Sequence, residues 1–385
     1  MRVKLKDIFD LQMGKTPSRS NLEYWNTTDY KWISIADLTK TSKYIFETKE
    51  YLSKSAIKDS GIKVIPANTV VMSFKLSIGK TAITKEDMYS NEAIMAFKDK
   101  HVINIIPEYI FYLFKYKNWE ECSNKAVMGK TLNKATLSEI EVEICSIEKQ
   151  RQIVNILDKI MSAVDGRKQE LQLLDELIKA RFVELFGDPR SNPFGFEKKR
   201  LKDTCKVITG NTPSRAIAEY YGDYIEWIKT DNIVSGILNP TQATESLSEK
   251  GMNVGRTVEK DSILMACIAG SIASIGRVCI TDRTVAFNQQ INAVVPEQYN
   301  ILFLYVLFQM SKDYLVEDIN MALKGILSKS KLEEKEFIIP PMDLQEQFSD
   351  FVKQVNKSKF DTMTFAPIYA IINLYLHTYF YQGRR

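Results

Sequence analysis

Gly14-Lys15-Thr16-Pro17-Ser18-Arg19 and Gly210-Asn211-Thr212-Pro213-Ser214-Arg215 are one loop written twice, 196 positions apart. The sequence around them repeats as well. Leu5-Lys6-Asp7 returns as Leu201-Lys202-Asp203, Tyr24-Trp25 as Tyr220-Tyr221, and Trp32-Ile33 as Trp227-Ile228. Ser77-Ile78-Gly79-Lys80 matches Ser274-Ile275-Gly276-Arg277, and Asn91-Glu92-Ala93-Ile94 matches Asn288-Gln289-Gln290-Ile291. Leu132-Asn133-Lys134 matches Leu327-Ser328-Lys329, and Gln150-Arg151-Gln152 matches Gln345-Glu346-Gln347. Landmarks that keep their order at offsets of 195 to 197 are the mark of an internal duplication. The chain is two copies of one unit.

Each copy reads in two parts. The first is mixed: β-rich runs such as Thr69–Phe74 and Asp261–Ala266 alternate with turn signals, and apolar helical stretches follow at Glu108–Lys117 and Leu302–Met310. The second part is a long helix. Ile153, Leu157, Ile160, Val164, Leu171, Leu174, Ile178 and Leu185 fall on a three-four spacing, with Arg167 and Arg181 at the two interrupted positions. Gly187-Asp188-Pro189 stops it. At 1.5 Å per residue, Ile153 to Leu185 spans roughly 50 Å. A helix that long and one-sided needs a partner. The second copy begins the same seam with Phe348, Phe351 and Val355, so an antiparallel coiled coil is expected; packing of the helix on its own domain is the alternative. The expected organisation is a mixed α/β (α+β) fold with twisted sheets and pseudo-two-fold symmetry. Its parts are a first globular domain at 1–146, a long helix at 147–187, a second domain at 188–341 and a second long helix at 342–385.

Composition narrows the class. The chain has 385 residues, 45% apolar and 26% charged, which describes globular domains rather than disorder. A net charge of +4 permits nucleic-acid binding without arguing for it. Five cysteines form no CxxC pair, which leaves no zinc knuckle or disulfide framework to expect. The opening residues hold no apolar stretch suited to a signal peptide, so a reducing cytoplasm is expected. Phe365–Tyr381 is almost wholly apolar, but it is short for a spanning helix and contains Asn373 and His377, so no membrane role is expected.

Catalytic signatures are missing. The two histidines, His101 and His377, have no acidic or cysteine cluster near them in sequence. There is no GxGxxG, P-loop or nucleophile elbow. Asn192-Pro193 and Asn239-Pro240 do not continue into an amino-methyltransferase motif. Isolated cysteines such as Cys267 read as small buried hydrophobes.

The repeated loops carry the binding candidates. In Gly-x-Thr-Pro-Ser-Arg, glycine is expected at an unusual backbone angle and proline to fix the next turn. The hydroxyls of Thr16, Ser18, Thr212 and Ser214, with the cations Lys15, Arg19 and Arg215, suit a phosphate. The same pattern also fits a turn that only shapes the domain. Lys80 and Arg277 follow the repeated Ser-Ile-Gly turns. Asn288 and Gln289 carry amides that can pair with adenine edges or can cap a strand edge. Lys229 and Asp231 complete the candidates for base reading.

The order of these signals resembles the specificity subunit of Type I restriction–modification systems. It does so through Leu5-Lys6-Asp7, Gly14–Ser18, Trp32-Ile33, Ser77-Ile78-Gly79, Asn91-Glu92-Ala93, Leu132-Asn133-Lys134 and the helix start at Ile147–Ile153, all then repeated, across residues 1 to about 360. The resemblance implies two target-recognition domains, each reading half of a bipartite double-stranded DNA site, and a paired-helix spacer. It implies docking of two methyltransferase subunits that bind S-adenosylmethionine and methylate adenine. A motor-nuclease subunit using ATP and Mg would cleave unmodified DNA, and the specificity subunit itself would perform no chemistry. The competing readings are a protein-only assembly scaffold and an enzyme in its own right. One stretch departs from the family pattern. After Phe360, Pro367 interrupts the seam, so the helix starting near Leu344 is expected to stop around Thr362 and an apolar one to begin near Pro367.

Overall fold

The structure, a computed structural model, describes residues 1–75, 77–119, 132–319 and 325–363, with side chains to Lys359. The described chain divides into two compact units, one ending at Gly166 and the other beginning at Arg167.

In the first unit the main sheet has the order Phe9–Met13, Ile94–Asp99, Val70–Ser73, Thr81–Thr84, Tyr44–Ile45. Val70-Val71-Met72-Ser73 is buried at every position, which is what a continuous apolar run produces in a covered central strand. The second unit repeats the first four places of this order with Cys205–Thr209, Ile291–Pro296, Ile263–Ala266 and Val278–Ile280. Register is kept too: Met13 lies opposite Met95, and Thr209 opposite Asn292.

Each unit has a second sheet built on its repeated tryptophan. Tyr30–Ile33 lies between Glu50–Leu52 and Tyr89–Ser90, and Trp32 pairs parallel with Tyr89. In the second unit Ile225–Ile228 lies between Ser246–Leu247 and Val285–Phe287, and Trp227 pairs parallel with Ala286. The second unit extends this sheet with Tyr221–Gly222 and Thr257–Val258.

The expected apolar helices are present. Pro107–Tyr116 starts with proline in its first turn, where no N–H is missed, and buries Tyr109, Phe111 and Phe114. Ile301–Met310 buries Phe303 and Phe308 in the equivalent place. The repeated Leu-Asn-Lys and Leu-Ser-Lys motifs are helix starts. Asn133 accepts from the Thr136 N–H at 2.8 Å, and Ser328 from the Lys331 N–H at 3.3 Å.

The long helix runs from Ile147 to Phe186, forty residues. Gly187, at φ 69°, ends it with its N–H on the Val183 carbonyl. Its apolar face is not one continuous seam. Ile153 and Leu157 bury into the core of the first unit, and Ile178, Phe182 and Phe186 into that of the second. Gly166–Gln169 is exposed between them. Leu171, Leu174 and Leu185 are only half-buried, whereas Phe182 and Phe186 are fully covered. A straight helix drifts by about 20° per heptad against a strict seven-residue repeat, so a seam counted from Ile153 slips off the face used thirty residues later. The C-terminal helix, Met342–Met363, packs on this later half. Phe348 meets Phe182 and Lys359 pairs with Asp175, so the two segments run antiparallel. Its buried apolar positions are Phe348, Val352 and Val355, with Phe351 half-covered, and Gln345 and Ser349 are buried beside them.

The repeated glutamines latch these helices to their units. Gln150 accepts from the Ile106 N–H at 2.9 Å and donates to the carbonyls of Asn104 and Cys145, both at 3.0 Å. Gln345 does the same, accepting from Asn300 at 2.9 Å and donating to Pro340 at 2.8 Å. Among the described residues no helix is long and apolar enough to cross a membrane. The C-terminal helix, expected to stop around Thr362, is described as far as Met363; the helix expected from Pro367 and the apolar stretch to Tyr381 lie outside the described residues.

Candidate nucleic-acid interface

Tryptophan pins the repeated loop in both units. The Trp32 indole N–H donates to the Lys15 carbonyl at 3.1 Å, and that of Trp227 to the Asn211 carbonyl at 3.3 Å. A second aromatic holds the far side: Trp25 donates to the Ser18 carbonyl at 3.0 Å, and the Tyr221 hydroxyl to that of Pro213 at 2.7 Å.

The glycine that opens each loop has a different cause from the one expected. Neither Gly14 nor Gly210 has a positive φ. A Cβ at Gly14 would lie 2.2 Å from the Asn91 carbonyl oxygen, and one at Gly210 would lie 2.1 Å from that of Asn288. Two backbones cross here with no room for a side chain. The positive-φ glycines are in the other repeated turn, Gly79 at 89° and Gly276 at 76°.

The loop arginines sit in matching cages. Arg19 pairs with Glu50 and stacks over Trp25 at 3.7 Å and Trp32 at 4.9 Å. Arg215 pairs with Glu245 at 2.6 Å and stacks over Tyr221 at 4.4 Å and Trp227 at 5.2 Å. Lys229 joins the second cage, 2.8 Å from Glu245 and 5.1 Å from the Trp227 ring. Hydrogen bonds from Lys229 and then Arg215 hold the Glu245 carboxyl below its usual range. The charges of Arg19, Arg215 and Lys229 are thus partly compensated at home.

Other candidates also have local partners. The Lys15 ammonium donates at 2.5 Å to Ser60, the last residue of the helix Lys54–Ser60. Asn211 donates at 2.8 Å to Val254, the last residue of Glu249–Val254. Both satisfy an orphan carbonyl at a helix end. Thr16 donates to Glu92, and Thr212 to Gln289 at the matching position. The Thr16 hydroxyl lowers the Glu92 pKa. Asn91 accepts from the Ala93 N–H at 3.0 Å, and Asn288 from the Gln290 N–H at 3.1 Å, so both asparagines close a turn.

The remaining candidates face solvent. Ser18, Ser214, Gln289, Asp231 and Lys80 are exposed. Ser18 shares a hydrogen bond with Ser20 at 2.8 Å. Lys80 has no ion-pair partner among the described residues. Arg277 is half-buried and donates to the carbonyls of Ser274 and Thr230, each at 3.2 Å. Beside Asp231, the buried residue is Asn232, whose side chain accepts from the Lys229 N–H at 3.0 Å. Asp37 does the same for Ser34 at 2.8 Å in the first unit.

Sequence reasoning passed over Glu50 and Glu245, which anchor both cages. Their signal is the repeat Glu50-Tyr51-Leu52-Ser53 and Glu245-Ser246-Leu247-Ser248, at the common offset of 195. Burial pushes the Cys205, Cys267 and Cys279 thiols up to about 12, away from nucleophilic use. Among the described residues no group of three or more His, Cys, Asp and Glu side chains is placed to hold a metal ion. What the loops offer is hydroxyls, amides and cations on a rigid frame, the donor set of phosphate and base recognition.

Comparison with known proteins agrees with this geometry. The model of the Type I restriction modification DNA specificity domain matches residues 1–176 and again 193–367. The specificity subunit of the MjaIX Type I restriction enzyme of Methanocaldococcus jannaschii is 26% identical over 377 residues, covering 91% of this chain and 85% of that protein. The HindI specificity subunit of Haemophilus influenzae is 33% identical over 167 residues, 38% of this chain and 35% of that one. Among solved structures, the S subunit of a Type I system from M. genitalium shares the fold, with a TM-score of 0.58 at 12% identity over 99% of this chain and 96% of that one. Matched twice, once in each repeat, the chain belongs to the Type I restriction–modification DNA specificity family, whose part is to recognise DNA sequence and not to perform the chemistry.

Proposed function

We propose that this chain reads a bipartite duplex site, one half with each unit, and brings methyltransferase and nuclease subunits to it. The observation that carries the reading is the duplication at atomic detail. One chain holds two units with the same strand order, the same register and the same tryptophan-pinned loop. Two equivalent surfaces on one chain suit a target with two separated halves. In this reading Lys15, Thr16, Ser18, Arg19 and Lys80 serve one half-site. Thr212, Ser214, Arg215, Lys229, Asp231, Arg277, Asn288 and Gln289 serve the other. The partners are two methyltransferase subunits, docked on the long helices, and motor-nuclease subunits, all in the cytoplasm. S-adenosylmethionine, ATP and Mg belong to those partners.

The test is methylation mapping of a host that carries the complex. Replacing residues 1–146 with those of a relative should change one half of the methylated site and leave the other half and the spacing intact. Changes in both halves, or in neither, refute the division of labour. A protein-only scaffold would instead show no salt-dependent binding to any duplex.

A further inference from the structure

A cleft of about 410 Å³ lies in the second unit, between the later half of the long helix, the C-terminal helix and the turn at Gly276-Arg277. That volume is within the range of about 300–1,000 Å³ typical of small-molecule sites. Its floor is apolar: Val278, Tyr305 and Val352 line it and are buried. Cations dominate its polar wall. Lys179, Arg277, Lys312 and Lys359 line it against a single carboxylate, Asp175, which Lys359 already neutralises. No carboxylate pairs with Lys179, Arg277 or Lys312 among the described residues.

Two of these cations are held in place by neutral groups. Arg277 donates from Nε to Ser274 and from one terminal nitrogen to Thr230, each at 3.2 Å. Lys312 donates to the Ala273 carbonyl at 2.6 Å. Carbonyls fix the direction of a cation without cancelling its charge. A guanidinium has five N–H donors and an ammonium three, so both groups keep donors to spare. The equivalent turn of the first unit has no such arrangement, since Lys80 is exposed and makes no side-chain bond to a carbonyl among the described residues.

We propose that this cleft binds a small phosphorylated ligand with an apolar, planar body, a nucleoside phosphate. The pre-directed Arg277 and Lys312 would take the phosphate, and the floor around Tyr305 the base. A duplex is a poorer fit. A body whose groove is wide enough, at about 12 Å, to admit a whole α-helix is too broad to enter a cleft of about 410 Å³, so it would lie across the mouth and leave the apolar lining bare. This site is separate from the pinned loops; of the residues in the DNA reading above it takes only Arg277, which on this proposal turns to the ligand and not to the duplex.

The probe is a fluorescent ADP analogue titrated into the full-length protein, without and with a saturating DNA duplex. The expected result is saturable binding of one equivalent that the duplex does not displace. Arg277→Ala combined with Lys312→Ala should weaken it about tenfold or more, as loss of charged hydrogen bonds does. Lys80→Ala should leave it unchanged. Ser235→Trp, at an exposed position on the wall, should block entry without touching the core, which covers the case in which the double variant does not fold. Three results overturn the proposal: no saturable binding at millimolar probe, wild-type affinity in Ser235→Trp, or displacement by duplex. Displacement would make the cations DNA-phosphate contacts. Half-site mapping is read independently, so failure here leaves the bipartite reading standing.

Discussion

Lys80 and Arg19 separate two roles that a cation can have in a DNA-binding loop. Lys80 is exposed and its charge has no partner among the described residues. Arg19 is paired with Glu50 and stacked on two tryptophans. If Lys80 meets a phosphate, Lys80→Ala removes one released counterion, and the slope of log affinity against log salt falls by about 0.9. Between 50 and 200 mM salt that is a difference of about 3.5-fold in how much affinity is lost. Stability should change little, because nothing is packed on the side chain. Arg19→Ala should do the reverse. An exposed cation–π contact contributes about 0.5–1 kcal/mol and a surface ion pair about 0–1 kcal/mol. Loss of both should cost about 0.5–2 kcal/mol of stability in the first unit, with a small change in slope because Glu50 already offsets the charge. The assay is fluorescence anisotropy of a labelled target duplex over a salt series, paired with urea unfolding of each variant. If Arg19→Ala lowers the slope by a full unit while Lys80→Ala leaves it untouched, home pairing does not decide which cations reach the phosphates, and the reasoning fails.

Other outcomes follow from the same geometry. Gly210→Ala places a Cβ 2.1 Å from a backbone oxygen and should cost at least about 2 kcal/mol, whereas Gly166→Ala, in an exposed stretch of helix with nothing within 4 Å, should stabilise by about 0.5–1 kcal/mol; chemical denaturation distinguishes them. Gln150→Ala breaks three hydrogen bonds of a buried side chain and should cost about 3 kcal/mol at about 1 kcal/mol each, while exposed Gln152→Ala should cost under about 0.5 kcal/mol. Unfolding followed by tryptophan fluorescence reads this directly, since Trp25, Trp32 and Trp119 all lie in the first unit. Hydrogen bonds from Lys4 and then Lys6 bring the Glu139 pKa down to about 2. A depressed carboxyl contributes its stability in full above its ordinary range near 4.5 and loses it as pH falls through about 2. Glu139→Gln should therefore flatten the pH dependence of stability between those values, and an unchanged acid-unfolding profile would count against the pairing.

Much of the architecture was legible because duplication makes a sequence its own comparison. Repeated positions that looked alike proved to hold equivalent places: Trp32 with Trp227, Gln150 with Gln345, Asn133 with Ser328. The helix limits were legible from proline, glycine and periodicity, which act through the local backbone. Tertiary structure decided what each repeated residue is for. Gly14 and Gly210 are glycine because another strand crosses at that point, and no local rule contains that strand. Arg19 and Arg215 look like free cations in the sequence because Glu50 and Glu245 lie about thirty positions away and meet them only across the fold. The face on which Phe182 and Phe186 bury was misread for a similar reason: periodicity fixes that a helix has an apolar side, but the core it meets fixes which residues lie on it. Sequence alone determined that there are two units and where their apolar and long helices run, but not the short helices Lys54–Ser60 and Glu249–Val254. Contacts between distant residues, which no local pattern encodes, decided which side chains are bound within the fold and which are left for a ligand.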